Sequence, residues 1–269
     1  MKVAAIQMAS GPQVAANLNE AARHIGKAAA AGARLVVLPE NVAIMALRDA
    51  DRLAAAERDG QGPIQEFLAA QARRHGVWLV GGTIPIIGND PKRARAACLL
   101  YNERGERAAR YDKIHLFDVR LDNGEVYNES ASIEPGDTPV VVDTPFGKLG
   151  LAVCYDLRFP ELFRRMLDAG AELFAVPFAF TVRTGRAHWE VLVRARAVEN
   201  LSYVIAAAQG GYHLNGRETY GDSMIVNPWG EVLDHLSRGS GVVLADLDRR
   251  YFEHTRSSFP SIQHRKLRA

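Results

Sequence analysis

What constrains this chain most is a series of short, unbroken apolar runs separated by helix-length stretches. "KVAAIQM", "RLVVLPE", "VWLVGGTIP", "GKLGLAVC", "ELFAVPFAF" and "SYVIAAAQG" lack the in-out alternation of a half-solvated strand, so each predicts a strand covered on both faces. Helical patterns fall between them at 15–31, with Leu18, Ala22 and Ile25 on one face, and at 63–75, 160–169 and 186–201. "ARAACLLYN" and "RAARYDKI" flank the turn "NERG" as a hairpin, and "DSMIVNP" and "GVVLADLD" add two later strands. Alternating strands and helices imply a layered α/β domain. Residues 117–138 show no period and are rich in Asn, Asp, Glu, Gly and Ser; an irregular stretch of that length in a compact domain usually carries function.

No linker, repeat or low-complexity block divides the chain, so residues 1–269 are expected to form a single domain. The net charge of +2 comes from interspersed acidic and basic residues, which disfavours a nucleic-acid partner. No run approaches the roughly 20 apolar residues that span a bilayer, so no membrane partner is expected. "MKVAAIQMAS" is too short for a secretory apolar segment and reads as a first strand. Two cysteines, Cys98 and Cys154, and no CxxC pair argue against a disulfide framework and against a thiolate metal site. A cytoplasmic location is expected.

Four reactive side chains stand at strand ends or in adjoining loops, where α/β sheets collect their ligands. Glu40 closes "RLVVLPE", Lys113 ends "RAARYDK", Glu129 lies in the irregular stretch, and Cys154 closes "GKLGLAVC". Each has a plainer reading: a solvated glutamate or lysine, or a cysteine that merely packs in the core. As a set they suit amide hydrolysis. A thiol needs a base, which Glu40 could be. Lys113 could hold the oxyanion of an attacked carbonyl, with the backbone N–H of Tyr155 as the second donor. Glu129 could orient Lys113 and pass a proton to the leaving nitrogen.

"LPE" at 38–40, "YDKIHLFD" at 111–118 and "CYDLRFPEL" at 154–162 resemble the signature stretches of the nitrilase superfamily of carbon–nitrogen hydrolases. The resemblance implies a four-layer αββα sandwich, two mixed sheets flanked by helices, with Glu40 as base, Lys113 as oxyanion stabiliser and Cys154 as nucleophile. It places the family's second glutamate on Glu129, within "NESASIEPGD". It also implies a reaction that needs only water, hence no cofactor and no metal. Cys98 matches no motif and is expected to be structural. Asp156 and Arg158 are expected to fix the turn of the nucleophile. His115, His188 and the other histidines are expected to be structural.

"GRAHWEVLVRARAVEN", "YVIAAAQGG" and "YGDSMIVNPWGEV" resemble the branch that holds deaminated glutathione amidase and ω-amidase, with "AHWEVLVRARA" and "AAAQ" closer to the former. The resemblance implies a small, anionic amide as substrate: deaminated glutathione, cleaved to 2-oxoglutarate and cysteinylglycine, with 2-oxoglutaramate or another small amide as the alternative. Arg183 and Arg186, expected in a loop after "ELFAVPFAF", are the candidates to meet its carboxylate, with a solvated loop arginine as the plainer reading of each; Phe178 and Phe180 are expected to pack in the core, with shaping the pocket as the alternative. Asp222 stands where these relatives commonly carry a histidine in "YGHS", and could alter specificity. The family pairs as dimers, so a homodimer is expected, with residues 251–269 as a docking tail or a loose end. Three rival readings remain: a thiol hydrolase that uses His115 as base, a silent protein that keeps the fold, and an ammonia-supplying domain of a synthetase.

Overall fold

The computed structural model describes residues 1–122 and 124–267. Arg268 and Ala269, the end of the expected tail, and Asn123, in the irregular stretch, lie outside the described residues. In chain order the first half gives β1 (Lys2–Gln7), α1 (Val14–Ala30), β2 (Leu35–Val37), α2 (Asp49–Ala54), α3 (Pro63–His75), β3 (Trp78–Val80), β4 (Ile84–Ile87), β5 (Ala94–Tyr101) and β6 (Arg107–Asp112). Next come two short strands, β7 (Asp118–Arg120) and β8 (Val126–Asn128), and a 3-10 turn at Glu129–Ala131. The second half gives β9 (Val140–Thr144), β10 (Gly147–Leu151), a 3-10 helix at Cys154–Arg158, α4 (Pro160–Asp168), β11 (Leu173–Phe178), α5 (Val182–Asn200) and β12 (Tyr203–Ala208). It closes with β13 (Gly210–Tyr212), β14 (Glu218–Tyr220), β15 (Ser223–Val226), β16 (Val232–Leu236), β17 (Gly241–Asp246) and α6 (Arg249–Ser258).

Among the described residues the strands form two large mixed sheets. One runs β17-β1-β2-β3-β5-β4, with β6 also on β5; the other runs β16-β15-β12-β11-β10-β9. Each has a parallel centre, β1, β2 and β3 in the first and β10, β11 and β12 in the second, with antiparallel strands outside it. The two-residue period explains why the first sheet's central strands are apolar throughout. Val3, Ala5, Leu35 and Val37 face the second sheet and share one core with Leu149, Leu151, Ala175 and Ile205. Ala4, Ile6, Val36 and Leu38 face the other way, onto Ala21, Ile25 and Ala28 of α1 and Ile64, Leu68 and Ala72 of α3. Phe163 and Met166 of α4 and Trp189 and Val193 of α5 cover the far face of the second sheet. The result is the expected helix–sheet–sheet–helix sandwich.

Local differences from the sequence reading have local causes. The stretch read as one strand, "VWLVGGTIP", breaks into β3 and β4 because Gly82 takes φ +64°. A Cβ at Gly82 would lie 2.0 Å from the carbonyl oxygen of Pro39, so only glycine lets the chain pass beneath the "LPE" turn. The buried face of α1 is centred on Ala21 rather than Ala22. The irregular stretch contains the β7–β8 hairpin. Helix α5 starts at Val182, four residues early, because the Thr181 hydroxyl caps it by accepting the N–H of Thr184. Within 251–267, α6 lays Phe252 against Tyr203 of its own chain. No helix among the described residues is long and apolar enough to cross a membrane.

Candidate active site

The carboxyl ends of the central parallel strands of both sheets open onto one cavity of about 230 Å³. β2 delivers Glu40 through Leu38 and Pro39, and β10 delivers Cys154 through Ala152 and Val153. β6 ends at Asp112, so Lys113 is the first residue beyond it. Glu129 opens the 3-10 turn after β8. All four line the cavity, as does Tyr155.

Lys113 is almost wholly enclosed, at 1% exposure. Its Nζ donates to Glu40 Oε1 at 2.8 Å and to Glu129 Oε1 and Oε2 at 2.9 and 2.8 Å. Burial lowers the pKa of the ammonium, but the charges of Glu129 and Glu40 outweigh it and hold Lys113 well above its normal value. Glu129 is fixed in turn by the N–H of Phe117, 2.6 Å from Oε2. A buried lysine therefore stays charged between two carboxylates.

Cys154 takes φ +48° at the head of its 3-10 helix, a conformation few non-glycine residues adopt. Burial and the neighbouring Glu40 carboxylate push its thiol well above the ordinary value, against the pull of Lys113 and an N–H of Ala179. Burial and the facing carboxylate thus both favour the thiol over the thiolate.

Asp156, fully buried, locks this turn to the "YDKIH" segment. Its Oδ2 accepts the N–H of Val153 at 2.8 Å and the hydroxyl of Tyr111 at 2.7 Å. Its Oδ1 accepts the backbone N–H of His115 at 3.0 Å and lies 2.7 Å from His115 Nδ1. Tyr111 and His115 flank Lys113 by two residues on either side, so one carboxylate ties the cysteine's turn to the lysine's strand end. The His115 ring stacks on Phe159 with centroids 3.7 Å apart and does not line the cavity. Gln209, at the end of β12, holds the Glu40 side: its Nε2 donates to the Glu40 carbonyl at 2.9 Å and to Ser10 Oγ at 2.7 Å. The "AAAQ" signal thus has a positional meaning.

The residues expected to contact substrate are placed differently. Phe178 is fully buried, stacked on Trp189 at 3.4 Å, whereas Phe180 lines the cavity. Arg183 and Arg186 lie on α5, not in a loop. Arg183 pairs with Asp122, and Arg186 borders a separate surface depression. Asp222 borders that same depression and bonds His235 Nδ1 at 2.9 Å. The arginines that do line the cavity are Arg52, Arg158 and Arg217. Sequence reasoning gave Arg158 only a turn-fixing role and missed the other two. For Arg158 the signal was present, since it stands one turn beyond the cysteine; for Arg52 and Arg217 no local pattern marks them. Arg52 is committed to Asp49 Oδ1 at 2.9 Å and Ser132 Oγ at 2.8 Å. Arg158 stands over the rings of Phe180 and Tyr155, its guanidinium carbon 5.2 and 5.7 Å from their centroids, with no carboxylate partner among the described residues.

Comparison with known proteins places this geometry in context. The carbon–nitrogen hydrolase family profile matches residues 2–257. The deaminated glutathione amidase of Yersinia enterocolitica is 40% identical over 267 residues, covering 98% of this chain and 93% of its own. The human deaminated glutathione amidase is 42% identical over 270 residues, covering 98% of this chain and 82% of its own. The crystal structure of the C. elegans NitFhit protein superposes with a TM-score of 0.91 at 36% identity, over 98% of this chain and 65% of that longer one.

Proposed function

The chain belongs to the carbon–nitrogen hydrolase family, and from that premise we propose that it cleaves deaminated glutathione to 2-oxoglutarate and cysteinylglycine through a thioester on Cys154. That it is a hydrolase of amides follows from the family and its amidase relatives. The observation that carries the residue assignment is the Lys113 ammonium, clamped between Glu40 and Glu129 at 2.8 Å from each, in the cavity that Cys154 also lines.

In this reading the substrate carbonyl seats over Cys154, and Glu40 takes the thiol proton as sulfur attacks. The transfer moves a negative charge from carboxylate to sulfur without changing the net charge of the enclosed cluster, so little extra desolvation accompanies it. Lys113 Nζ and the N–H of Tyr155 hold the oxyanion. Tyr155 lies in the first turn of its 3-10 helix, where N–H groups have no intrahelical acceptor. Protonated Glu40 returns the proton to the leaving amine, with Glu129 steadying Lys113 and assisting the transfer. The C–N bond breaks and the thioester remains. Water, deprotonated by Glu40, then attacks the thioester, and the thiol is restored as 2-oxoglutarate leaves. Arg158, on the same 3-10 helix as Cys154 and without a carboxylate partner among the described residues, suits the carboxylate of the 2-oxoacid half.

The free, buried thiols of Cys98 and Cys154 suit a reducing compartment, consistent with a cytoplasmic location. Exposed Val191 and Val198 on α5 support the homodimer, which sedimentation would test.

The function is tested by 2-oxoglutarate release from deaminated glutathione and from 2-oxoglutaramate, by the wild-type protein and by Cys154→Ala. Release from the first substrate, lost in the variant, is expected. A preference for 2-oxoglutaramate would retain the mechanism and replace the substrate by that of an ω-amidase.

A further inference from the structure

We propose that Arg217 forms a second anion subsite, which takes the carboxylate at the leaving-group end of a long amide and so selects dianionic substrates over short ones. The proposal rests on the reading above, in which the chain hydrolyses an amide of the deaminated-glutathione type.

Arg217 lines the cavity from the loop between β13 and β14. Its guanidinium carbon stands 5.4 Å from the centroid of the Tyr127 ring. Its Nε is enclosed by protein yet finds no acceptor among the described residues. No carboxylate pairs with it among the described residues, whereas Lys113 is held by two and Arg52 by Asp49. Among the described residues the guanidinium thus has no internal acceptor to compete for it, and a carboxylate in the cavity would meet it at its Nη groups.

The base of this loop is rigid while its arginine is uncommitted. His213, kept neutral by burial, donates from Nδ1 to the Ser10 carbonyl at 2.9 Å and accepts the Thr219 hydroxyl at Nε2 at 2.7 Å. Asn215 Nδ2 donates to the Ala46 carbonyl at 3.0 Å. Such anchoring holds a guanidinium in place before the ligand arrives, so less conformational freedom is lost on binding.

Placement decides which end of the substrate Arg217 would meet. Arg158 shares the 3-10 helix of Cys154 and so belongs to the acyl side. Tyr127, beneath Arg217, is two residues before Glu129, the group that faces the leaving nitrogen in this reading. Deaminated glutathione has a carboxylate at each end: that of the 2-oxoacid on the acyl side and that of the glycyl residue on the leaving side. In 2-oxoglutaramate the leaving group is ammonia, and nothing extends toward Arg217.

The test compares kcat/KM for deaminated glutathione with that for its C-terminal carboxamide, in the wild-type protein, Arg217→Gln and Arg217→Lys. The wild type should prefer the free acid by roughly 10- to 100-fold, mostly in KM, the range of a charge-assisted hydrogen bond used for binding. Arg217→Gln should level the two substrates, and Arg217→Lys should restore part of the preference. Because the two substrates are compared within each protein, a general loss of folded enzyme cancels. A preference that survives intact in Arg217→Gln overturns the proposal alone. Failure of the wild type to turn over deaminated glutathione overturns the parent reading and the proposal with it.

Discussion

Asp156 Oδ2 accepts the N–H of Val153 at 2.8 Å and thereby sets the peptide that leads into Cys154. The same carboxylate receives Tyr111 and His115 from the strand end that presents Lys113, so the turn of Cys154 and the Lys113 cation are positioned by one buried group. Asp156→Asn keeps the shape, removes the charge and turns one acceptor into a donor. We expect a loss of about 3 kcal/mol of stability, as for other broken buried charged networks. Denaturant unfolding measures it. In the folded fraction kcat should fall, with KM little changed. Stability and kcat both at wild-type values would remove Asp156 from this role.

Glu40 raises the Cys154 thiol and, in our account, also removes its proton during attack. These two effects separate in Glu40→Gln. Amide turnover should fall by roughly 10²- to 10⁴-fold, the usual worth of a general base. The pH at which a small alkylating agent begins to react with Cys154 should move down, because the charge that favours the neutral thiol has gone. An upward move would show that Glu40 does not face the sulfur.

Lys113 is held above its normal pKa, and the sign of its contribution follows. The stabilisation is complete below the unfolded lysine value of about 10.4 and is lost only as pH rises through the higher folded value. Lys113 therefore gives no pH dependence to stability between pH 6 and roughly 10. Lys113→Met should cost about 10²- to 10³-fold in kcat. It also leaves Glu40 and Glu129 facing each other without a cation, so this variant alone should gain stability as pH falls through the carboxylate range, visible in melting scans at several pH values.

Much of this site could be read from the chain because Glu40, Lys113 and Cys154 each follow a strand, and apolar runs mark strand ends well. Glu129 follows a hairpin too short and too polar to show a period, so its place in a long irregular stretch marked it more weakly than a strand end would, and the family resemblance strengthened the assignment. Phe178 and Phe180 could not be separated: the run "ELFAVPFAF" is buried on both faces, and such a strand gives no sign of which residues leave the core for the cavity. Arg183 and Arg186 sit on α5 because the Thr181 hydroxyl caps the helix, and a cap of one side chain shows less in the sequence than the periodic stretch from Arg186 onward. The partnership of Asp222 with His235 joins two neighbouring strands through pairing that no short-range pattern reveals. Arg217 meets Tyr127 across two hairpins distant in sequence.

Gly82 and Gly32 both take positive φ, but their surroundings differ. At Gly82 a Cβ collides with the Pro39 carbonyl, while at Gly32 nothing lies within 4 Å. Gly32→Ala should cost only the strain of its dihedral, about 1 kcal/mol. Gly82→Ala should cost more, and should also lower kcat by shifting Glu40. Equal effects on stability in paired unfolding curves would contradict the packing argument.

Asp222 raises the pKa of His235 through their hydrogen bond. Its contribution to stability is present below the unfolded histidine value and is lost as pH rises through the raised folded one. Asp222→Asn should return the His235 titration, followed by NMR, toward the ordinary value. Since neither residue lines the cavity, kcat/KM should stay at the wild-type level. A change of substrate preference would bring Asp222 back into the site.

The proposed mechanism turns on a thioester on Cys154. The most direct measurement is intact and peptide mass analysis of enzyme quenched during turnover of deaminated glutathione. An adduct with the mass of the 2-oxoglutaryl acyl group is expected on the peptide that contains Cys154, absent from Cys154→Ala, which should also release no 2-oxoglutarate. Release at the wild-type rate by Cys154→Ala would contradict the account.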